Sequence, residues 1–172
     1  AIQLIPEIAD EVSHLTIFQR TANYSAPLRN SPINPDLQRE IKANYSEIFK
    51  KCSETPGAFI HQFDPRSALE VPEEERLAQY ETLWAEPGFK KWLSNFQDIM
   101  IPGEANENYA EFVRNKIRER VNDPVVAEML VPKDHPFGSK RLPCETGYYD
   151  VFNREDVLLV DVRKAPIERI KP

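Results

Sequence analysis

Glycine is scarce in this chain, with five residues in 172, at Gly57, Gly88, Gly103, Gly138 and Gly147. None belongs to a GxGxxG or a P-loop pattern. Nucleotide sites of those kinds need a glycine turn where backbone N–H groups approach phosphate, so the chain has no phosphate cradle of its own. Cysteine is nearly absent. Cys52 and Cys144 lie far apart, in no metal-ligand or redox spacing, and read as reduced thiols of a cytoplasmic protein. Long apolar runs are also missing, so no segment suits a bilayer span, and the first residues have no signal-peptide pattern. Lys and Arg number 22 against 28 Asp and Glu, a net charge of -6 with no extended basic face, which argues against general nucleic-acid binding. His14, His61 and His135 have no ligand-like spacing, and no metal site is expected. Asn23-Tyr24-Ser25 and Asn44-Tyr45-Ser46 fit the glycosylation pattern but, without a secretion signal, read as chance matches.

Proline is plentiful and punctuates the chain. Ile2, Ile5, Ile8, Ala9 and Val12 recur at helical spacing, with no start signal before them. Leu15 to Arg20 is a short β-rich run. Helix then strand is the second half of a βαβ unit, whose first strand and glycine turn would precede Ala1. Asn34-Pro35 supplies a cap and a first-turn proline, and Leu37, Ile41, Tyr45, Ile48 and Phe49 form one stripe, so a helix is predicted over 35–52. A short extended piece is expected at 58–62. Further helices are predicted from Pro72, with Leu77, Tyr80 and Trp84 inward, from Pro87 to Met100, and over 104–121. A short helix capped by Asp123-Pro124 follows. Val157 to Val162 is an apolar run suited to a parallel strand buried on both faces, and Ile167 to Ile170 would begin another strand. The aromatic groups Trp84/Phe89/Trp92/Phe96 and Tyr109/Phe112 sit at helical spacing and are expected in the core. The fold class expected is α/β and predominantly helical, with two parallel strands of a split dinucleotide-binding sheet flanking a large helical insertion. The expected divisions are 1–30, 31–133 and 134–172.

Two places carry candidate chemistry. The first strand ends in Gln19-Arg20-Thr21, with no Asp or Glu. At that point of a dinucleotide-binding fold an acid selects NAD, whereas an Arg accommodates the 2′-phosphate of NADP. A guanidinium can bind phosphate oxygens bidentately and a Thr hydroxyl adds a donor. A strand-end Arg that reaches solvent fits the same residues. Near the other end, Pro136 and Gly138 suggest a turn that constrains Lys140 and Arg141. An ordinary solvated basic loop fits those residues too.

The wider pattern is more specific. Phe18-Gln19-Arg20-Thr21, Asn23 to Asn30, Phe112 to Arg118, Asp134 to Arg141, Gly147 to Arg154 and Val160-Asp161-Val162 occur in this order. Together with Ala1-Ile2-Gln3 they resemble segments of the Baeyer–Villiger monooxygenases, flavoenzymes that insert oxygen beside a ketone carbonyl. The resemblance implies an FAD- and NADPH-dependent parent acting on a ketone and O2. It implies that Arg20, Thr21 and Lys140 bind the 2′-phosphate and that Gln3 lies near the pyrophosphate. It also implies that Arg141 is the catalytic arginine, stabilising developing negative charge without giving up a proton. The family's FAD and NADP glycine motifs and its fingerprint are absent from this sequence. The chain is therefore expected to be a fragment, inactive alone, whose partners are the remaining FAD and NADP domain segments of the same enzyme. A related N- or S-oxidising flavin monooxygenase and a stand-alone helical interaction module remain open as alternatives.

Overall fold

The computed structural model describes residues 1–170. In chain order the elements are α1 (Leu4–Ala9), β1 (Leu15–Gln19), β2 (Ala26–Pro27), α2 (Pro35–Ala43), α3 (Tyr45–Ser53), α4 (Glu73–Ala85) and α5 (Lys90–Leu93). Then come α6 (Glu104–Arg120), α7 (Pro124–Leu130), β3 (Cys144–Glu145) and β4 (Val157–Asp161). They form two compact units, one of residues 1–27 with the chain from Pro102 onward, the other of residues 28–101. The helical unit thus ends near 101 rather than 133. The reason is that α6 and α7 bury their apolar faces with α1 and β4: Ile117, Val121, Ala127 and Leu130 join Ile5, Ala9, Tyr149, Phe152 and Leu159 in one core.

The first unit is built on β1 and β4, which pair in parallel from Leu15↔Val157 to Gln19↔Asp161 although the whole insertion separates them in sequence. Leu159 is buried, but Phe18 and Leu158 are 58% and 50% exposed. So the apolar run of β4 is covered on one face here, not on both as expected. A second parallel pair, β2 with β3, was not expected from the sequence; it is two residues long, and Pro27 has no N–H with which to extend it. Helix α7 is capped as anticipated, with Asp123 Oδ1 accepting from Val125 N at 2.7 Å. Arg114 of α6 is the main polar tie. Its guanidinium donates to the Pro132 carbonyl and the Tyr24 hydroxyl, both at 2.8 Å, and pairs with Glu107 and Glu111. The buried Glu145 receives Arg120 at 2.5 Å and the Tyr148 amide at 3.0 Å.

In the second unit the helix expected over 35–52 is two helices, broken at Asn44. There the Asn side chain donates to the Glu40 carbonyl at 2.9 Å, and φ −101°, ψ 11° leaves the helical region. The expected apolar stripe stays outside, Phe49 being 62% exposed. Leu77 is also exposed, whereas Tyr80, Trp84, Trp92, Phe96 and Ile99 form the core. The helix expected from Pro87 to Met100 is only α5 and a 3-10 turn at Gln97–Met100. Between them the backbone bonds sideways, Asp64 N to Asn95 O and Gln97 N to Asp64 O, both at 2.9 Å. Neither 58–62 nor 167–170 is a strand.

Candidate functional site

Parallel strands end together, so β1 and β4 bring their C-terminal residues to one edge. Arg20 and Thr21 leave β1 there, while Asp161 closes β4. The ladder continues one step further, with Val162 N donating to Gln19 O at 3.0 Å. The chain then turns sharply. Lys164 N and Ala165 N return to Asp161 O at 3.1 and 2.9 Å, and Arg163 N donates to Asp161 Oδ1 at 2.9 Å. Beside this edge lies an open cleft of about 540 Å³, lined by Arg20, Thr21, Arg163 and Lys164 together with residues of α7 and Asp134.

The cleft is cationic once its internal pairs are counted. Glu128 at its wall holds both Arg118 and Lys133 at 2.6 Å, which keeps its carboxyl down at about 2. Asp161 is engaged by the turn amide. Asp134 bonds the His135 ring at 2.6 Å, which together with Lys140 nearby holds it below the ordinary carboxylate range. Among the described residues Arg20 pairs with no carboxylate.

A second constrained segment runs from Asp134 to Arg141. Phe137 is its anchor. The ring is buried, edge-on to Tyr24 and Tyr109 at 5.4 and 4.9 Å, and its backbone N and O both bond the Asn106 side chain. Gly138 takes φ +78°, a left-handed value that closes the turn. Ser139 then caps the Pro136 carbonyl through its hydroxyl at 2.8 Å. Asn23, four residues beyond the end of β1, links this segment to the sheet edge. Its side chain donates to Arg141 O at 3.1 Å and also contacts His135 Nε2 at 3.1 Å. Lys140 and Arg141 both emerge exposed.

The structure therefore brings Arg20 and Thr21 together in the cleft, and ties the turn carrying Lys140 and Arg141 to the loop that follows them. Gln3 is not among the cleft residues; it is exposed at the start of α1 and makes no capping bond. Sequence reasoning missed Asn23 and Arg163. Asn23 had only a weak signal, its place beside Tyr24 and Ser25, both of which are buried. Arg163 had none, because the turn after β4 depends on a partner strand far away in sequence.

No family model matches the chain. It is 46% identical over 171 residues to the 2-oxo-Δ3-4,5,5-trimethylcyclopentenylacetyl-CoA monooxygenase of Pseudomonas putida, covering 99% of this chain and 31% of that protein. It is 38% identical over 170 residues to the cyclohexanone 1,2-monooxygenase of Acinetobacter, covering 98% of this chain and again 31% of the relative. The crystal structure of OTEMO in complex with FAD and NADP superposes with a TM-score of 0.97 at 46% identity, over 99% of this chain and 32% of the other. The chain thus spans about a third of the length of the proteins it matches.

Proposed function

We propose a role whose premise is kinship: the chain is homologous, nearly end to end, to part of the Baeyer–Villiger monooxygenases. In this reading it belongs to an FAD- and NADPH-dependent enzyme. That enzyme inserts one oxygen atom of O2 between a ketone carbonyl carbon and its neighbour, giving an ester or lactone. The other oxygen atom leaves as water, and NADPH supplies the two electrons. The chain alone is inactive. A cytoplasmic location belongs to the same reading; among the described residues no helix is long and apolar enough to cross a membrane.

FAD and NADPH supply the redox chemistry, and this chain's residues position and stabilise. Arg20 and Thr21 bind the 2′-phosphate of NADP at the strand edge, with Lys140 adding charge, while Gln3 approaches the pyrophosphate. The cationic cleft fits this group, since Glu128 and Asp134 are already engaged by other side chains and Asp161 by the turn amide. Arg141 faces the reacting centre and stabilises negative charge that develops on the ketone oxygen. A guanidinium does this without yielding a proton. The remaining FAD and NADP domain segments cover the open face of β1 and β4, and they provide the flavin cradle that this sequence lacks.

The observation that carries the reading is the tether from Asn23 to Arg141. It joins the phosphate edge to the arginine turn through one side chain. The test is Arg20→Ala in the full-length enzyme, with initial rates measured for NADPH and NADH. A charge-assisted hydrogen bond contributes about 1.5–3 kcal/mol, so KM for NADPH should rise roughly tenfold to a hundredfold while NADH changes little. Equal losses for both cofactors would show that the cleft does not bind the phosphate.

A further inference from the structure

Arg163 lies at the same sheet edge without having been assigned a task. Its backbone is fixed by the turn that Asp161 closes, with Arg163 N on Asp161 Oδ1 at 2.9 Å. Its Nη2 donates to Thr21 Oγ1 at 3.0 Å. The same nitrogen reaches Asp134 Oδ2 at 3.4 Å. This second partner is weakly held. His135 bonds the Asp134 carboxylate more closely, at 2.6 Å, and the side chains of Arg163 and Asp134 are 59% and 39% exposed. An exposed pair of that length contributes little and is easily exchanged.

We propose that Arg163 is a specificity-determining residue for NADP, leaving Asp134 to grip the 2′-phosphate beside Arg20 and Thr21. The proposal rests on the reading of the cleft as the phosphate site. A phosphate oxygen bonded to the Thr21 hydroxyl lies within reach of a guanidinium that already bonds that hydroxyl. A doubly charged phosphate outcompetes a single carboxylate that is shared with a histidine. A planar fork can keep one N–H on Thr21 and present others to the ligand in a fixed, bidentate geometry, which the point charge of a lysine lacks.

The competing role is a brace, in which Arg163 only holds Thr21 and Asp134 in place. Calorimetric titration of the FAD-loaded full-length enzyme with NADP+ and NAD+ separates the two, with circular dichroism confirming the fold of each variant. Arg163→Ala should weaken NADP+ about tenfold, the scale of one exposed charge-assisted bond, and leave NAD+ within about twofold. Asp134→Asn releases Arg163 from its resting partner, so NADP+ affinity should hold or rise, whereas a brace would predict a loss. Arg20→Ala is the control. If Arg20→Ala weakens NADP+ selectively but Arg163→Ala does not, or Asp134→Asn weakens it, the role of Arg163 is wrong and the cleft assignment stands. If Arg20→Ala shows no selectivity either, the cleft assignment itself fails.

Discussion

Arg141 and Lys140 are neighbours with different proposed tasks, and their separation is the sharpest residue-level test. The turn that carries them is held at three points: the buried Phe137 ring, the Asn106 side chain and the Asn23 bond to the Arg141 carbonyl. Truncating Arg141 beyond Cβ leaves all three intact. In the full-length enzyme, Arg141→Ala should therefore fold and bind NADPH, yet lose ester or lactone formation by about a hundredfold to a thousandfold, the usual cost of removing one stabiliser of a developing oxyanion. Product analysis by gas chromatography, with NADPH oxidation followed in parallel, decides it; near-native product formation would remove Arg141 from the chemistry. Arg114 makes a different prediction. It is nearly buried and binds Tyr24, the Pro132 carbonyl and two glutamates. Burial disfavours its charge, but Glu107 and Glu111 outweigh this and leave its pKa raised. Arg114→Ala strands the Tyr24 hydroxyl and the carbonyl, and should cost about 3 kcal/mol in urea unfolding. The sequence made Arg20 and Thr21 visible because strand ends can be located from composition. It hid Arg163 and Asn23, whose positions depend on contacts more than 110 residues away.

Elements were legible where local and tertiary preferences agree. The α7 cap and the α2 start follow from Asp123-Pro124 and Asn34-Pro35, and β1 and β4 from β-rich runs. The long helices expected over 35–52 and 87–100 fail where a polar side chain offers the backbone another partner, at Asn44 and around Asn95. The segment before α4 shows such side-chain control most clearly. Asp64 takes a bidentate bond from Arg66, Nε to Oδ1 at 3.0 Å and Nη2 to Oδ2 at 2.6 Å, and Arg66 also reaches Glu75 and Gln79 on α4. That hydrogen bonding brings the Asp64 carboxyl down from 3.8 to about 2. A carboxyl with a depressed folded pKa contributes stability above its unfolded value and loses it as pH falls through the folded one. Stability of this unit should therefore decline as pH drops from about 4 toward 2. Asp64→Asn should be less stable at neutral pH and show a flatter decline across that window. Thermal unfolding at a series of pH values reads both, and parallel curves for the two proteins would mean that the pair contributes nothing.

At the scale of the whole molecule, the unit division and the open sheet face have a common cause. The chain leaves β1, builds a helical unit of residues 28–101 and returns with α6, α7 and β4 to complete the first unit. The parallel pairing of β1 with β4 could be anticipated. The allocation of α6 and α7 could not, because an amphipathic helix does not encode which neighbour receives its apolar face. On β1 and β4, Phe18 and Leu158 project outward from the sheet and remain half or more exposed. In the proposed enzyme, other segments cover them; in the chain by itself, water does. Two consequences can be measured on the isolated 172 residues. Apolar sheet faces drive association, so the chain should self-associate in sedimentation velocity, and Phe18→Lys with Leu158→Glu should shift it toward monomer. Its nucleotide affinity should be poor, because in the proposed site Arg20, Thr21 and Arg163 supply only the phosphate end, and the glycine turn such a site needs is not in this sequence. Titration with NADP+ should give binding weaker than about 1 μM, the lower end of ordinary enzyme KM values. Tighter binding by the isolated chain would mean that these residues form a complete site, and the division of labour with other segments would have to be abandoned.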